Sequence, residues 1–438
     1  MLAGRLASIV GYTIAGTTLA YVLFSLALYA FPELREWQSQ AFGPIDNVAM
    51  RQTPFADLAM LTSSARCDAS LDDLYTGRVS CDPHGRLFTY PPVALGMFQV
   101  LGLSAGSLGS VGFLLGGAVA LLVGVLFFAV IPSPLVAGVS LAAAYLSLPF
   151  QLGLERGNND LVVVLLMALL ALALAGRHRL APAATASLAL LAVATKLLPL
   201  FGVATTWLLQ HQGAPQPPAR ANSRWALLGA VAGLGLVLPW LPVILSNSPR
   251  PPGGVLSHGL LALQVCYDLM VSQKLTLIAS RLLLVGSVGL KLIFLLAGLL
   301  LGLRTGLAAN LRVFLYSGST TLPPLLVAIT FSLFSATWIG TYLFTRSYDY
   351  KFIFLLPAFA ITVALLSQPA SAPLRPSWGL LVLAPMLSAW FVPYLAVSFN
   401  LPVGVWLEGI NDFALIPLLA GALVAALPGT WPPERQLA

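Results

Sequence analysis

What most constrains this chain is a series of apolar stretches, each about the 17–25 residues that an α-helix needs to cross roughly 30 Å of hydrocarbon. They lie near residues 6–31, 90–105, 109–131, 160–176, 225–246, 281–303, 320–343, 350–367, 376–397 and 411–428. Only 8% of the 438 residues are charged and 58% are hydrophobic, too few polar groups to cover a water-facing surface. No hydrophilic block is long enough to fold as a soluble domain. Residues 1–438 therefore read as a single transmembrane domain, an all-α polytopic bundle of about ten to twelve membrane helices. The net charge of +7 is scattered between apolar runs, which argues against nucleic acid as a partner and for membrane lipid. The first run, Leu6 to Phe31, is too long for a signal-peptide core and is expected to remain as an uncleaved span.

Two stretches are irregular. Residues 132–153 contain Pro132, Pro134 and Pro149, and residues 180–210 carry Lys196 and Pro199 near their middle. Both read as re-entrant pairs of half-helices, which survive at membrane depth only when buried in protein or facing water. With the N-terminus cytoplasmic and each pair returning to its own side, the inner loops hold Arg5, Arg177, Arg179, Arg220, Arg224, Arg304, Arg312, Arg375 and Arg435 against a single acid, Glu434. That is the positive-inside pattern.

The first outer loop, 32–89, holds eight of the fifteen acids: Glu33, Glu36, Asp46, Asp57, Asp68, Asp72, Asp73 and Asp82. Cys67 and Cys81 lie in it, on the oxidising side, where a disulfide would stabilise the loop by roughly 3 kcal/mol; free thiols are the alternative. His84 has no second partner at ligand spacing, so no metal or other cofactor is indicated. Cys266 is the odd cysteine. A second outer loop, 247–280, reads as a Pro-rich turn followed by an interfacial amphipathic helix.

Four polar features interrupt the apolar pattern. Glu155-Arg156-Gly157-Asn158-Asn159-Asp160 precedes a strongly apolar helix. Asn159 or Asp160 can cap that helix, but capping accounts for one residue and not for the run. Lys196 lies inside an apolar run, where a lysine marks a functional site or a buried partner unless it snorkels to the interface. Lys291 raises the same question, with snorkelling the simpler reading. Arg346-Ser347-Tyr348-Asp349-Tyr350-Lys351 fills a short outer turn; two cations beside aromatics suit an anion such as phosphate, and a self-satisfied Asp pair is the bland alternative. Arg156, Arg346 and Lys351 thus share a face with a carboxylate-rich loop. Lys196 joins them only if its half-helix reaches deep enough. An acid that deprotonates a hydroxyl, with cations that hold a leaving phosphate, meets the needs of sugar transfer from a lipid phosphate. Nucleotide-binding, zinc-protease and serine-hydrolase motifs are absent from workable positions.

The first span, the acidic loop with Leu71-Asp72-Asp73-Leu74-Tyr75, then Phe88-Thr89-Tyr90-Pro91-Pro92, Arg156-Gly157-Asn158-Asn159-Asp160 and Lys196-Leu197-Leu198-Pro199 resemble the GT-C fold glycosyltransferases. The pattern is most similar to glycosyltransferase family 87, the polyprenol-phosphate-mannose-dependent transferases. The likeness covers most of residues 1–210, while the Cys67–Cys81 insert and the lack of Asp-x-Asp depart from the family. The resemblance implies a GT-C-like bundle and an inverting hexosyl or pentosyl transferase. Its partners would be a polyprenyl-phosphate sugar donor and a lipid or glycan acceptor, at the outer side of a bacterial plasma (inner) membrane. It implies Asp57 as general base, with Asp46 as fallback. Arg156, Lys196 and Arg346 or Lys351 would bind the donor phosphate. Asn158, Asn159, Asp160, Tyr90 and Tyr350 would bind substrate, with Tyr90 and the segment around Tyr267 shaping the acceptor groove. A divalent metal is possible in the family and not indicated here. The rival classes are a transporter or lipid flippase, in which Lys196 couples or binds cargo, and a non-catalytic scaffold, in which the polar motifs tolerate alanine.

Overall fold

Backbone amides in hydrocarbon must be satisfied within the protein, in helices or closed barrels, and continuous apolar runs of this length suit the helix. A computed structural model of the protein describes residues 2–31, 33–34, 54–212, 217–247, 257–258, 277–317, 320–344, 347–368, 375–399 and 410–430. Six helical stretches in it are long and apolar enough to cross a membrane: Gly4–Ala30, Ala105–Val130, Arg220–Asn247, Val285–Arg304, Pro324–Phe344 and Asn411–Thr430. The chain is an integral, multi-pass α-helical membrane protein. Its one extended pairing among the described residues joins β1 (Ser257–His258) to β2 (Ser347–Tyr348), antiparallel.

Helix α1 (Leu2–Ala30) leads to a polar segment with two short helices, α2 (Ala56–Ser64) and α3 (Leu71–Thr76); a Cys67–Cys81 disulfide, its Cα atoms 6.1 Å apart, closes the chain around α3. Ser70 caps α3 and Asp73 returns a bond to the Ser70 amide, while Asp72 pairs with Arg78 at 3.4 Å, so these two acids serve local structure. Tyr75 stacks on Trp240 with centroids 5.3 Å apart and donates to the Tyr90 carbonyl at 2.6 Å. Asn247 donates to the carbonyls of Tyr75 and Phe88 at 2.7 and 3.2 Å, clamping the segment to the bundle.

The next two elements depart from the sequence expectation. The stretch 90–105 does not run the length of the bundle: α4 (Pro92–Val100) has nine residues, about 14 Å of rise, and the chain then turns back at Gly102. Helix α5 (Leu108–Val130) starts where α1 ends, with Gly109 so close to the Ala30 carbonyl that no side chain fits between them. The stretch 132–153, expected to return to its own side, instead climbs α5 as α6 (Pro134–Leu146) and α7 (Leu148–Arg156), bent by 55° at the break. Tyr145 bonds the Ala120 carbonyl in the middle of α5, and Leu154 packs over Gly116 one turn nearer the end of α1. The two departures offset each other, so the ends reached by all later elements are unchanged.

Helix α8 (Asp160–Ala175) returns, and α9 (Ala181–Thr195) rises again to Lys196. The residue before a proline-initiated helix disfavours α geometry, and Pro199 opens α10 (Pro199–Gln212), which descends. Asn222 in α11 (Pro217–Val237) bonds the carbonyls of Ala173, Leu174 and Gly176, and Arg224 reaches His211 at 3.4 Å. The pair α9–α10 therefore returns to the end it left, as the sequence implied for 180–210. Helix α12 (Leu241–Asn247) continues α11 to the polar segment. Two further helices follow, α13 (Leu277–Arg304) and α14 (Leu307–Tyr316). Helix α15 (Pro324–Phe344) fills the centre, buried from Val327 through Tyr342. A 3-10 segment, Asp349–Leu355, and α16 (Leu356–Ser367) come next. Helix α17 (Arg375–Trp378) leads through a π turn into α18 (Ala384–Phe399). A second π turn, Asn411–Leu415, opens α19 (Ile416–Ala426) beside α13. The second polar loop, 247–280, with its expected interfacial helix, Tyr267 and Cys266, lies almost wholly outside the described residues.

Candidate functional site

The end of the bundle that holds the polar segment gathers charged side chains from elements far apart in sequence. Phe55 supports them. It adopts a left-handed conformation (φ 55°, ψ 31°), uncommon for a bulky residue, and its amide donates to the Glu155 carbonyl at 2.6 Å. Its ring meets Tyr29 edge-on at 6.2 Å and lies over Gly112 and Gly157. Gly157 itself has φ +56°, and a Cβ there would stand 3.0 Å from the Phe55 ring and 3.1 Å from Leu58. Phe55 thus fixes where α2 starts, and Asp57 lies in the first turn of α2, where the helix dipole favours an anion.

Asp57 receives the fork of Arg156, Nη2 to Oδ1 at 2.7 Å and Nε to Oδ2 at 3.1 Å. Arg86 Nη1 approaches Oδ1 at 3.1 Å and Asn158 Nδ2 approaches Oδ2 at 2.6 Å. Burial works to raise the Asp57 pKa; Arg156, then Arg86 and Asn158, outweigh it and hold the carboxyl below its ordinary value. Arg86 is anchored separately by Asp82, Nε to Oδ2 at 2.8 Å and Nη2 to Oδ1 at 3.0 Å, and by the Ala56 carbonyl. Asp82 is likewise held below its ordinary pKa, its burial outweighed by the Arg86 bonds.

A second carboxylate lies one amide away. Asp160, at the start of α8, pairs with Lys196 at 2.8 Å and with Lys351 at 2.9 Å. Asn158 joins the halves: its Oδ1 accepts from Lys196 Nζ at 3.1 Å and from the Asp160 amide at 2.9 Å. The cap of α8 is therefore the Asn158 side chain, and the expectation that Asn159 or Asp160 caps is corrected. Asn159 makes no cap bond; its amide reaches toward the Thr195 carbonyl at 3.4 Å. The Lys196 side chain is 20% exposed, so the half-helix pair does carry it to the polar end.

Of the residues singled out in the sequence, Asp57, Arg156, Asn158, Asp160, Lys196 and Lys351 form one linked cluster. Lys351 forms its floor: its side chain is 6% exposed and held by Asp160, against 30% for Arg86 and 15% for Arg156. Tyr90 is half-buried beside the cluster, its hydroxyl within the field of Asp57, Asp160, Arg86 and Arg156. Asp46 and Arg346 lie outside the described residues, as does the side chain of Tyr350, whose backbone is in the 3-10 segment. The sequence reading missed Arg86, though its spacing four residues after Asp82, between Cys81 and the Phe88–Pro92 motif, was a usable signal.

The expectation that Lys291 snorkels is also corrected. It is fully buried, pairs with Asp412 at 2.9 Å and lies 5.1 Å from the centroid of the Phe413 ring. Comparison of the chain with protein-family models, curated proteins and solved structures returns no match.

Proposed function

We propose that the protein is a membrane glycosyltransferase that moves a hexose or pentose from a polyprenyl-phosphate donor to a hydroxyl of a lipid or glycan acceptor. The observation that carries the reading is the linkage of Asp57, paired with Arg156, through Asn158 to Lys196 and Asp160, with the Arg156 and Lys196 side chains partly exposed. In the reaction, Asp57 takes the proton of the acceptor hydroxyl and the freed oxygen bonds the anomeric carbon from the face opposite the phosphate. The bond from that carbon to the phosphate oxygen breaks, its electron pair leaving with polyprenyl phosphate, so the anomeric configuration inverts. Arg156 and Lys196 take up the charge that develops on the departing phosphate. Lys351 fixes Asp160 and, through it, Lys196.

Charge asymmetry supports a site on the outer side of a plasma membrane. Among the described residues, Arg5, Arg177, Arg179, Arg220, Arg224, Arg304 and Arg312 lie away from the cluster with no acid beside them, whereas Asp57, Asp68, Asp72, Asp73, Asp82, Glu155 and Asp160 lie at its end, together with Arg66, Arg78, Arg86, Arg156, Lys196 and Lys351. The test is transfer of radiolabelled sugar from polyprenyl-phosphate donors to a membrane extract by purified protein. Asp57→Asn is expected to reduce transfer by roughly 10²–10⁴ at unchanged expression. Full activity in that variant rejects the assignment.

A second reading, a transporter or lipid flippase, is favoured by the Lys291–Asp412 pair, since ionisable groups within membrane helices often mark transport pathways. Vesicles that move labelled lipid or sugar in an Asp412-dependent way without forming a glycoside would select it.

A further inference from the structure

The Cys67–Cys81 disulfide takes no part in the chemistry above, yet Cys81 directly precedes the residue that anchors Arg86. Residues 81–86 run back along α2. Cys81 is bonded to Cys67, just past the last turn of α2, while Arg86 reaches the Ala56 carbonyl and Asp57 at its first turn. Met60 and Ser64 of α2 line one small cleft with Cys81, Asp82 and Arg86. The turn is thus fastened to both ends of a nine-residue helix, about 14 Å apart.

Asp82 organises everything between those ends. Its carboxylate accepts the Arg86 amide at 2.9 Å, Nε at 2.8 Å and Nη2 at 3.0 Å, and its carbonyl accepts the Gly85 amide at 2.9 Å. It therefore fixes the backbone and the guanidinium of Arg86 together. From Asp82 to Leu87, the hydrogen bonds that leave the turn are those of Arg86 to Ala56 and Asp57, while Pro83, His84, Gly85 and Leu87 are exposed. The chain is pinned again at Phe88, by Asn247 on its carbonyl at 3.2 Å and by the Tyr75 ring at 5.4 Å. On the incoming side the disulfide is the nearest fastening, since the Val79 amide reaches the Asp73 carbonyl only at 3.5 Å. Where Asp82 stands is set by that one covalent bond.

We propose that the Cys67–Cys81 disulfide is a redox switch for the site: oxidised, it places Asp82 so that Arg86 rests on Asp57; reduced, it lets the turn swing about Phe88 and withdraws Arg86. Both cysteines are partly exposed, within reach of a thiol–disulfide exchange partner. In the closing direction one cysteine thiolate attacks the partner's disulfide, and the other cysteine displaces the partner from the mixed disulfide. Cys67 and Cys81 are oxidised, and the partner's disulfide is reduced to two thiols, which take the two protons. A dithiol runs the same steps in reverse. Once the turn is loose, the Arg86–Asp57 pair must order it unaided, and a half-exposed ion pair is too weak for that. The oxidised site gathers Arg86, Arg156, Lys196 and Lys351 around Asp57 and Asp160; an arriving anion meets one cation fewer in the reduced site. The switch is independent of what the site transfers.

The experiment labels the full-length protein in lipid nanodiscs with phenylglyoxal, which attacks accessible guanidinium groups, and follows each arginine by peptide mass spectrometry. Reduction by a phosphine, or Cys81→Ser, is expected to quicken labelling of Arg86 by about tenfold, the effect of losing one charge-assisted hydrogen bond. Arg78, inside the disulfide loop and already exposed, should change little. In Asp82→Asn, Arg86 should label at the fast rate with the disulfide intact, and reduction should add little, because the disulfide acts through Asp82. Re-oxidation of the reduced, unsubstituted protein should return Arg86 to its slow rate. An Arg86 that stays slow after reduction overturns the switch. So does an Arg156 that quickens as much as Arg86, since the whole site has then loosened instead of releasing one cation.

Discussion

The protein contains two sets of buried ion pairs, and they are built to opposite rules. Lys291 and Asp412 pair at 2.9 Å, with side chains 0% and 1% exposed, between helices that traverse the bundle. The Asp57–Asp160 cluster shares each carboxylate between two cations, comes from a polar loop, three helix ends and a 3-10 segment, and keeps Arg86, Arg156 and Lys196 partly open to solvent. A sealed pair has geometry and no vacancy: its charges cancel within the protein, and breaking it leaves an ion in a medium that cannot solvate it. A shared, half-open cluster can lose one partner to an incoming anion while its carboxylates stay paired. On the transferase reading, the difference separates a fastening from a working site.

The comparison can be broken most directly at the sealed pair. Lys291→Met strands the Asp412 carboxylate and is expected to lower stability by about 3–5 kcal/mol, with most of the loss recovered in the double variant carrying Asp412→Leu. Thermal unfolding in detergent measures both; a negligible single-variant cost would mean that the pair fastens nothing. Gly157→Ala should follow at about 1–2 kcal/mol, from its left-handed backbone alone, with a further drop in transfer as Phe55 shifts Asp57. Lys196→Met should change unfolding by about 1 kcal/mol or less, because Lys351 still pairs with Asp160, yet it should weaken polyprenyl-phosphate binding in a filter or fluorescence assay. An unfolding loss as large as that of Lys291→Met would erase the distinction. Acid gives the smallest effect. Asp57 and Asp82 have folded pKa values below their ordinary value, so their stabilisation is complete above about pH 3.9 and is lost as pH falls through the lower folded values. Arg86→Gln brings those values back up, and the polar loop should then come loose at a higher pH, readable by proteolysis.

Much of this was legible in the sequence, for identifiable reasons. Apolar run length exposes helices whatever their neighbours, so the α-helical membrane class follows directly. Arg156, Asn158, Asp160 and Lys196 stood out because charge and amide are costly beside apolar helices. Run length could not tell α4 from a crossing, because the apolar stretch 90–105 hides a turn at Gly102, nor α6–α7 from a re-entrant pair, because Pro149 bends a helix without reversing it. Lys291 was misread since its partner is 121 residues away, and no local pattern announces it. Arg86 was overlooked because a cation in a polar loop attracts no notice until the fold turns it toward Asp57.

Asn158 has a consequence of its own. Only one orientation of its carboxamide satisfies its neighbours, with oxygen toward Lys196 and nitrogen toward Asp57. The group is therefore a polarised conduit: withdrawal of electron density by the ammonium makes the amide hydrogens more acidic toward the aspartate. Asn158→Asp would replace the donor by an acceptor and set two anions face to face, and Asn158→Leu would uncouple the halves. Whatever engages the lysine is in this way felt at the carboxylate on the far side of a single planar group.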